Sequence, residues 1–397
     1  MLSEFVWPLL FWIYVAATLV QLALWWVVFK KLCWQGTFTK PLRFRKCEAR
    51  NTFTKSLRFR KREAISLIIC ARNEACNLQR NLPGVLEQQY PGTWEVIVVD
   101  DASSDATPEV LRAFREKYPG LQVVRIDEKR HPGKKHALAA GIAAARYEGL
   151  LLTDADCTPA SPYWLAHMAA ALSAQPETEI VLGYGPLIAP AGGNPAVAAW
   201  SGFETAFTAI QYFSWALAGL PYMGVGRNLA FRRQAYEQAG GFRAHLDLVS
   251  GDDDLLVNAA ARAGNAGICL HPEAFVFSES KSTWRTWARQ KHRHLSAGGR
   301  YRAVHRFALA VTALSHVLHF FLLAVLLLSG FGMVSVLLLF LARSFSLLFL
   351  YGKILPVLRE SRFLSRVPIY DTLLAAYYGA FVPLSLIVHR NARLKWK

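Results

Sequence analysis

Leu150-Leu151-Leu152-Thr153-Asp154-Ala155-Asp156 is an apolar run that ends abruptly in two carboxylates one residue apart. An unbroken apolar stretch of this kind predicts a strand buried on both faces of a parallel sheet. Ligands of such sheets sit beyond the carboxyl ends of the strands. Aspartates spaced i and i+2 at that point can offer oxygens to a hard divalent cation, Mg²⁺ or Mn²⁺, and such a cation suits a diphosphate. A strand-end turn has the same spacing, so the flanking sequence must decide.

Further strand-like runs cover residues 65–70, 94–99 and 121–126, with helix-like segments over 76–89, 107–118 and 134–146. Thr107-Pro108 is a good N-cap and first-turn pair. Alternation of this kind predicts a mostly parallel sheet covered by helices on both faces. Residues 180–187 extend it, 267–277 predict a late strand, and the order between them is irregular.

Polar clusters fall at successive strand ends. They are Ala71-Arg72-Asn73-Glu74, then Asp100-Asp101-Ala102-Ser103-Ser104-Asp105, then His131-Pro132-Gly133-Lys134-Lys135 opening the third helix, and finally Asp154 and Asp156. Any one is ordinary turn or helix-start chemistry. Four in register suggest a phosphate-bearing ligand, with Lys134 and helix-start N–H groups available to it.

The chain has 397 residues, 53% of them hydrophobic, and a net charge of +17. Residues 5–29 carry no charge and are followed by Lys30 and Lys31. At ~1.5 Å per residue they span a ~30 Å hydrocarbon core. The run is too long for a cleaved leader, and Glu4 stands where a leader would be basic. Residues 307–352 contain only Arg343 as a formal charge, enough for two crossings with a turn at Ser329-Gly330-Phe331-Gly332. Arg343 stands inside an apolar run, and intramembrane charges often mark pathways, a mild signal towards a synthase that threads its product through the membrane. Residues 30–62 carry twelve Lys or Arg against one acid, Glu48, which puts them and the following domain on the cytoplasmic side, against anionic lipid. No nucleic-acid recognition motif accompanies this charge, and nucleic acid is not an expected partner. The six cysteines include no Cys-x-x-Cys pair, as suits a reducing compartment.

The expected layout is an anchor over 1–29, a basic linker over 30–62, an α/β domain over 63–283, an interfacial element over 284–306, a membrane hairpin over 307–352, a basic loop over 353–369 and a third membrane segment with a basic tail over 370–397. Within the linker, residues 37–51 are nearly copied by 52–66, with eleven identities in the first thirteen positions. One such duplication is far too short for a solenoid. The apolar part of the last segment, residues 372–388, is only 17 residues long and contains Gly379 and Pro383. A full crossing there would put Arg390, Arg393, Lys395 and Lys397 outside, so either the segment is re-entrant or interfacial or the tail breaks the rule.

The ordered set ARNE, VVDDASSD, GKKHAL, TDAD, GVGRNLAFRR, GDDDLL and QKHRH closely resembles the inverting family 2 glycosyltransferases of GT-A fold, over about residues 63–302. The resemblance is to the membrane-anchored bacterial type related to polysaccharide and glycolipid synthases, which implies a multi-pass inner-membrane enzyme with a cytoplasmic catalytic domain. It further implies that Arg72, Glu74 and Asp101 hold the base and ribose of a nucleotide sugar, with Lys134 nearby. Asp154 and Asp156 would be the metal pair for Mg²⁺ or Mn²⁺, with Asp156 the direct ligand. In Ser250-Gly251-Asp252-Asp253-Asp254, Asp253 would be the base that deprotonates the acceptor hydroxyl and Asp252 its support. The family usually has Glu-Asp where this chain has Asp252-Asp253. Asn228 would touch the acceptor. Gln290 and Arg293 would meet the diphosphate. His294 stands on the acceptor side where polysaccharide synthases usually have tryptophan, which weakens the case for a polymerase.

The leading expectation is therefore transfer of one sugar, from a UDP-linked donor, to a membrane lipid or lipid-linked saccharide. A processive exopolysaccharide synthase is the alternative, and a non-catalytic membrane scaffold a more distant one.

Overall fold

The computed structural model describes residues 2–33, 35, 63–129, 131 and 133–384. Apart from its last residues, 63–66, the 37–66 duplication falls outside them, as does the basic tail beyond 384.

The central sheet contains β1 (Ile65–Ala71), β2 (Trp94–Asp101), β3 (Leu121–Ile126), β4 (Gly149–Asp154), β6 (Ile180–Gly183), β8 (Leu229–Arg232) and β9 (Ala266–Cys269), in the order β3-β2-β1-β4-β8-β6-β9. Only β8 runs antiparallel to its neighbours. The strands read as continuous apolar runs because both faces are covered, and Leu150, Leu151 and Leu152 are almost completely buried. The helices Ala75–Leu86, Thr107–Lys117 and Lys135–Ala144 fall where the alternation predicts them. This is the expected GT-A arrangement.

Two expected strands divide. The 180–187 run ends its first strand at Gly183, and Leu187–Ile188 (β7) joins a second sheet with β5 (Cys157–Pro159) and β10 (Val276–Glu279). Likewise the 267–277 run is interrupted by a tight turn, Pro272–Ala274, because proline cannot donate to a sheet ladder. The helix Pro195–Leu217, not foreseen from the pattern, starts at Asn194, whose side chain accepts from the amides of Ala196 and Val197. It is buried on most sides, so no polar stripe betrays its period.

This helix joins the domain to the membrane elements. Trp25, Val28, Phe29 and Leu32 share one continuous apolar core with it and with β1 and β4. Among the described residues, three helical stretches, Phe5–Cys33, Ala303–Ser329 and Met333–Val357, are long and apolar enough to cross a membrane. Between the last two the chain turns through Gly330 and Gly332, at positive φ of 75° and 59°. The basic loop then packs under the domain, where Tyr184 Oη donates to Glu360 Oε1 at 3.2 Å. From the following helix, Val367–Ala376, Asp371 reaches in among the long helices and pairs with the fully buried Arg343.

Candidate active site

The loops at the carboxyl ends of β1 and β2 are zipped together. Asn73 and Ala102 both adopt φ of 56°. The Asn73 amide donates to Ser103 Oγ at 3.0 Å, and Ser104 returns its amide to Asn73 Oδ1 at 2.8 Å. The Glu74 amide donates to Thr107 Oγ1 at 2.9 Å, and Asn77 donates to the Glu74 carboxylate. Behind this rim Asp101 is fully buried. Its Oδ1 and the Nε of Arg72 are buried without a partner, which leaves hydrogen-bonding capacity for a polar ligand at this end of the cleft.

Lys134 lies elsewhere than beside Asp101. Asp101 is paired by Lys129, which also donates to the Gly133 carbonyl at 2.8 Å. Sequence reading missed Lys129, although the charged run Asp127-Glu128-Lys129 directly follows β3. Lys134 instead sits at the centre of the cleft, 2.7 Å from Asp154 Oδ1 and 3.0 Å from Asp252 Oδ2. Burial acts to raise the Asp154 pKa, but Lys134, with Arg227 and Arg293 behind it, outweighs burial and holds the carboxyl below its usual range.

Asp154 is half-buried and Asp156 exposed. Their carboxylate oxygens and Cys157 Sγ lie within 4.8 Å of one another. Burial pushes the Cys157 thiol well up, and a soft sulfur is a poor partner for a hard cation. What remains is an oxygen pair, a donor set that fits Mg²⁺ or Mn²⁺.

Asp253 caps the helix Asp254–Ala260, accepting from the Asp254 amide at 2.8 Å and, through Oδ2, from the Gly226 amide at 2.7 Å. Burial, then the neighbouring Asp252, raises its pKa against the pull of Lys134 and these amides. The fit around Gly226 is tight: a Cβ there would lie 3.3 Å from both Asp253 and Lys134 Nζ.

Asp254 is buried and accepts from Tyr301 Oη at 2.7 Å. Burial and the charge of Asp253 push it up to about 7, despite that hydrogen bond. A carboxyl whose folded pKa is raised favours folding below its unfolded pKa and loses that contribution as pH rises through the folded value. Between about pH 5 and pH 8 the parent should therefore lose more thermal stability than Asp254→Asn, by ~3 °C or more in Tm. Parallel curves from differential scanning fluorimetry would remove Asp254 from this role.

Asn228 does not face an acceptor. It is fully buried, accepts from Trp164 Nε1 at 3.0 Å and donates to the carbonyls of Tyr184 and Ala274, both at 2.8 Å. With its donors and acceptor spent on the scaffold, it braces the wall of the cleft. Its neighbour Arg227 is, after Lys129, a second cation that the sequence reading passed over. Gly185 lets it through: a Cβ on Gly185 would lie 2.0 Å from Arg227 Nε.

The helix Trp284–Gly298 opens with a capping box, Thr283 and Thr286. It carries half-buried Gln290 and Arg293 and exposed His294. Lys291 on the same helix pairs with buried Glu204 of the helix Pro195–Leu217, which ties this element to the domain.

The sequence model of glycosyl transferase family 2 matches residues 66–196, and that of glycosyl transferase family group 2 matches residues 149–355. The glycosyltransferase AglE of Haloferax volcanii is 32% identical over 209 residues, 52% of this chain and 63% of that protein. The beta-monoglucosyldiacylglycerol synthase of Synechocystis sp. is 28% identical over 213 residues, 52% of this chain and 42% of that protein. The chain thus spans less than two thirds of the length of either relative. Among solved structures, the mannosyltransferase PcManGT of Pyrobaculum calidifontis, in complex with GDP-Man and Mn²⁺, aligns over 89% of this chain and 98% of its own with 22% identity and a TM-score of 0.48. With one family model covering more than half of its length, the chain belongs to glycosyltransferase family 2.

Proposed function

We propose that this glycosyltransferase moves one sugar, with inversion, from a UDP-linked donor to a lipid or lipid-linked saccharide at the cytoplasmic face of a bacterial inner membrane. The observation that carries this reading is the grouping of Asp154, Asp252 and Asp253 around Lys134, at the carboxyl edge of the sheet and next to a helix that leads into the apolar hairpin. The buried, unpartnered Arg72 Nε and Asp101 Oδ1 suit a base and ribose. Arg293 suits a diphosphate as a charge-assisted donor. Asp154 and Asp156 would hold the divalent cation, which supplies charge neutralisation on the diphosphate.

In the reaction the acceptor oxygen forms a bond to the anomeric carbon as the bond from that carbon to the diphosphate oxygen breaks. Asp253 takes the acceptor proton, and the departing electron pair stays on the diphosphate. Each Asp253 oxygen keeps a second lone pair beyond its amide partner, so the carboxylate can still accept that proton. Its raised pKa suits a base. Asp252, bound to Lys134, keeps the local charge balanced.

The test is to incubate the purified full chain with labelled nucleotide sugars and membrane lipid, with and without chelator. Metal-dependent incorporation of one sugar into the organic-solvent extract is the expected result. A long water-soluble polymer, or incorporation that Asp156→Ala leaves intact, would overturn the reading.

A further inference from the structure

Two lysines open the helix Lys135–Ala144, and only the first, Lys134, has a place in the reaction described above. Lys135 is fully buried at the first position of the helix. An ammonium carries three N–H donors and no acceptor. All three are spent on carbonyls of one segment: Lys135 Nζ donates to those of His245 at 2.6 Å, Leu248 at 2.9 Å and Ser250 at 2.6 Å. Burial lowers the pKa of this ammonium, against the attraction of Asp252, Asp254, Asp247 and Asp253.

The segment so held is the approach to Asp252 and Asp253. No helix or strand runs through residues 246–253, so no regular ladder fixes their backbone. On its outer edge the loop has an exposed ion pair, Asp247 with Arg300 at 2.9 Å, of a kind that contributes little. Its inner edge is held much more closely. Gly133, at φ of 78°, lies flat against it, and a Cβ there would come within 2.4 Å of the Val249 carbonyl oxygen. Lys134 binds Asp252 at 3.0 Å. Three successive residues, Gly133, Lys134 and Lys135, therefore grip one loop. The turn that grips it is tied in turn to the opposite end of the cleft, because Lys129 both pairs with Asp101 and donates to the Gly133 carbonyl at 2.8 Å.

We propose that Lys135 is a positioning residue for sugar transfer: by gathering three carbonyls on one buried ammonium, it fixes the place from which Asp253 meets the acceptor hydroxyl. This role rests on Asp253 being the base. The amides of Gly226 and Asp254 aim the Asp253 carboxylate, while Lys135 sets where the backbone enters the site. Both are needed, since a proton acceptor displaced by about 1 Å can cost about 10²-fold in rate.

The experiment is a double-variant cycle on the purified full chain, with each rate scaled to the fraction of molecules that bind nucleotide. Lys135→Met keeps an unbranched stem and removes all three donors. It should lower kcat by about 10- to 100-fold and leave nucleotide affinity within about threefold of the parent. In the Asp253→Asn background the same substitution should lower the remaining rate by less than about threefold, because a residue that acts through Asp253 then has nothing left to place. Lys135→Arg keeps the charge, but its planar fork does not match three converging carbonyls. Its kcat should fall between those of the parent and Lys135→Met, and it carries the cycle if Lys135→Met does not fold. An equal loss in both backgrounds, the mark of a merely structural role, or an unchanged kcat in the folded variants would overturn the proposal. A near-parental kcat for Asp253→Asn alone would remove the base itself, and the positioning role with it, so the two failures are read from different proteins.

Discussion

Asp253→Asn should lower the rate of sugar transfer by about 10²- to 10⁴-fold, the range expected when a positioned proton acceptor is removed, while nucleotide affinity stays within about threefold of the parent. The carboxylate has two backbone amides to satisfy, those of Gly226 and Asp254. An asparagine offers only one acceptor oxygen, so one amide is left facing an NH₂ group. That mismatch costs about 1–3 kcal/mol of stability. The activity loss must therefore be read beside Tm and nucleotide binding measured on the same sample. Loss of kcat with binding intact assigns the proton to Asp253. Parallel loss of binding would mean that the Gly226 loop had moved and that the base lies elsewhere. Asp252→Asn is the informative neighbour: it loosens Lys134 without touching either amide, and its kcat should fall less than that of Asp253→Asn.

The site was legible where chemistry is local to a strand end. Asp154, Asp156 and the Asp252–Asp254 acids each lie at the edge of a regular element, and their spacing in the chain is also their spacing in space. Reading failed where a partner comes from a distant loop. Nothing around Asp101 indicates that Lys129, rather than Lys134, will neutralise it, because that depends on how the segment after β3 folds back. Asn228 misled for a related reason. A polar residue in a motif suggests ligand contact, yet here it is spent on Trp164, Tyr184 and Ala274, which lie 44 to 64 residues away. The fold followed the same division. Apolar runs gave the parallel strands, whereas Pro195–Leu217, buried on most sides, carried no periodic signal.

Arg343→Leu should destabilise the helical bundle by about 3–5 kcal/mol, because it strands a buried carboxylate without its counter-charge. Arg343 is fully buried, donates to Asp371 through both terminal nitrogens, and gives its Nε to Gln21 Oε1 at 2.8 Å. Its guanidinium also lies 4.8 Å from the Trp25 ring and 4.9 Å from that of Phe320. Elements from four parts of the chain thus meet on one side chain. That explains why a charge persists in a run that is otherwise apolar, and why the short segment from Val367 packs against the long helices. The double variant Arg343→Leu with Asp371→Leu should recover most of the loss, since two apolar groups replace a paired charge that had itself been costly to bury. Thermal unfolding of the four proteins in one detergent closes the cycle. A double variant as unstable as the two single losses added together would mean that the pair contributes no coupling, and that Gln21 and the aromatic rings, rather than Asp371, hold Arg343 in place.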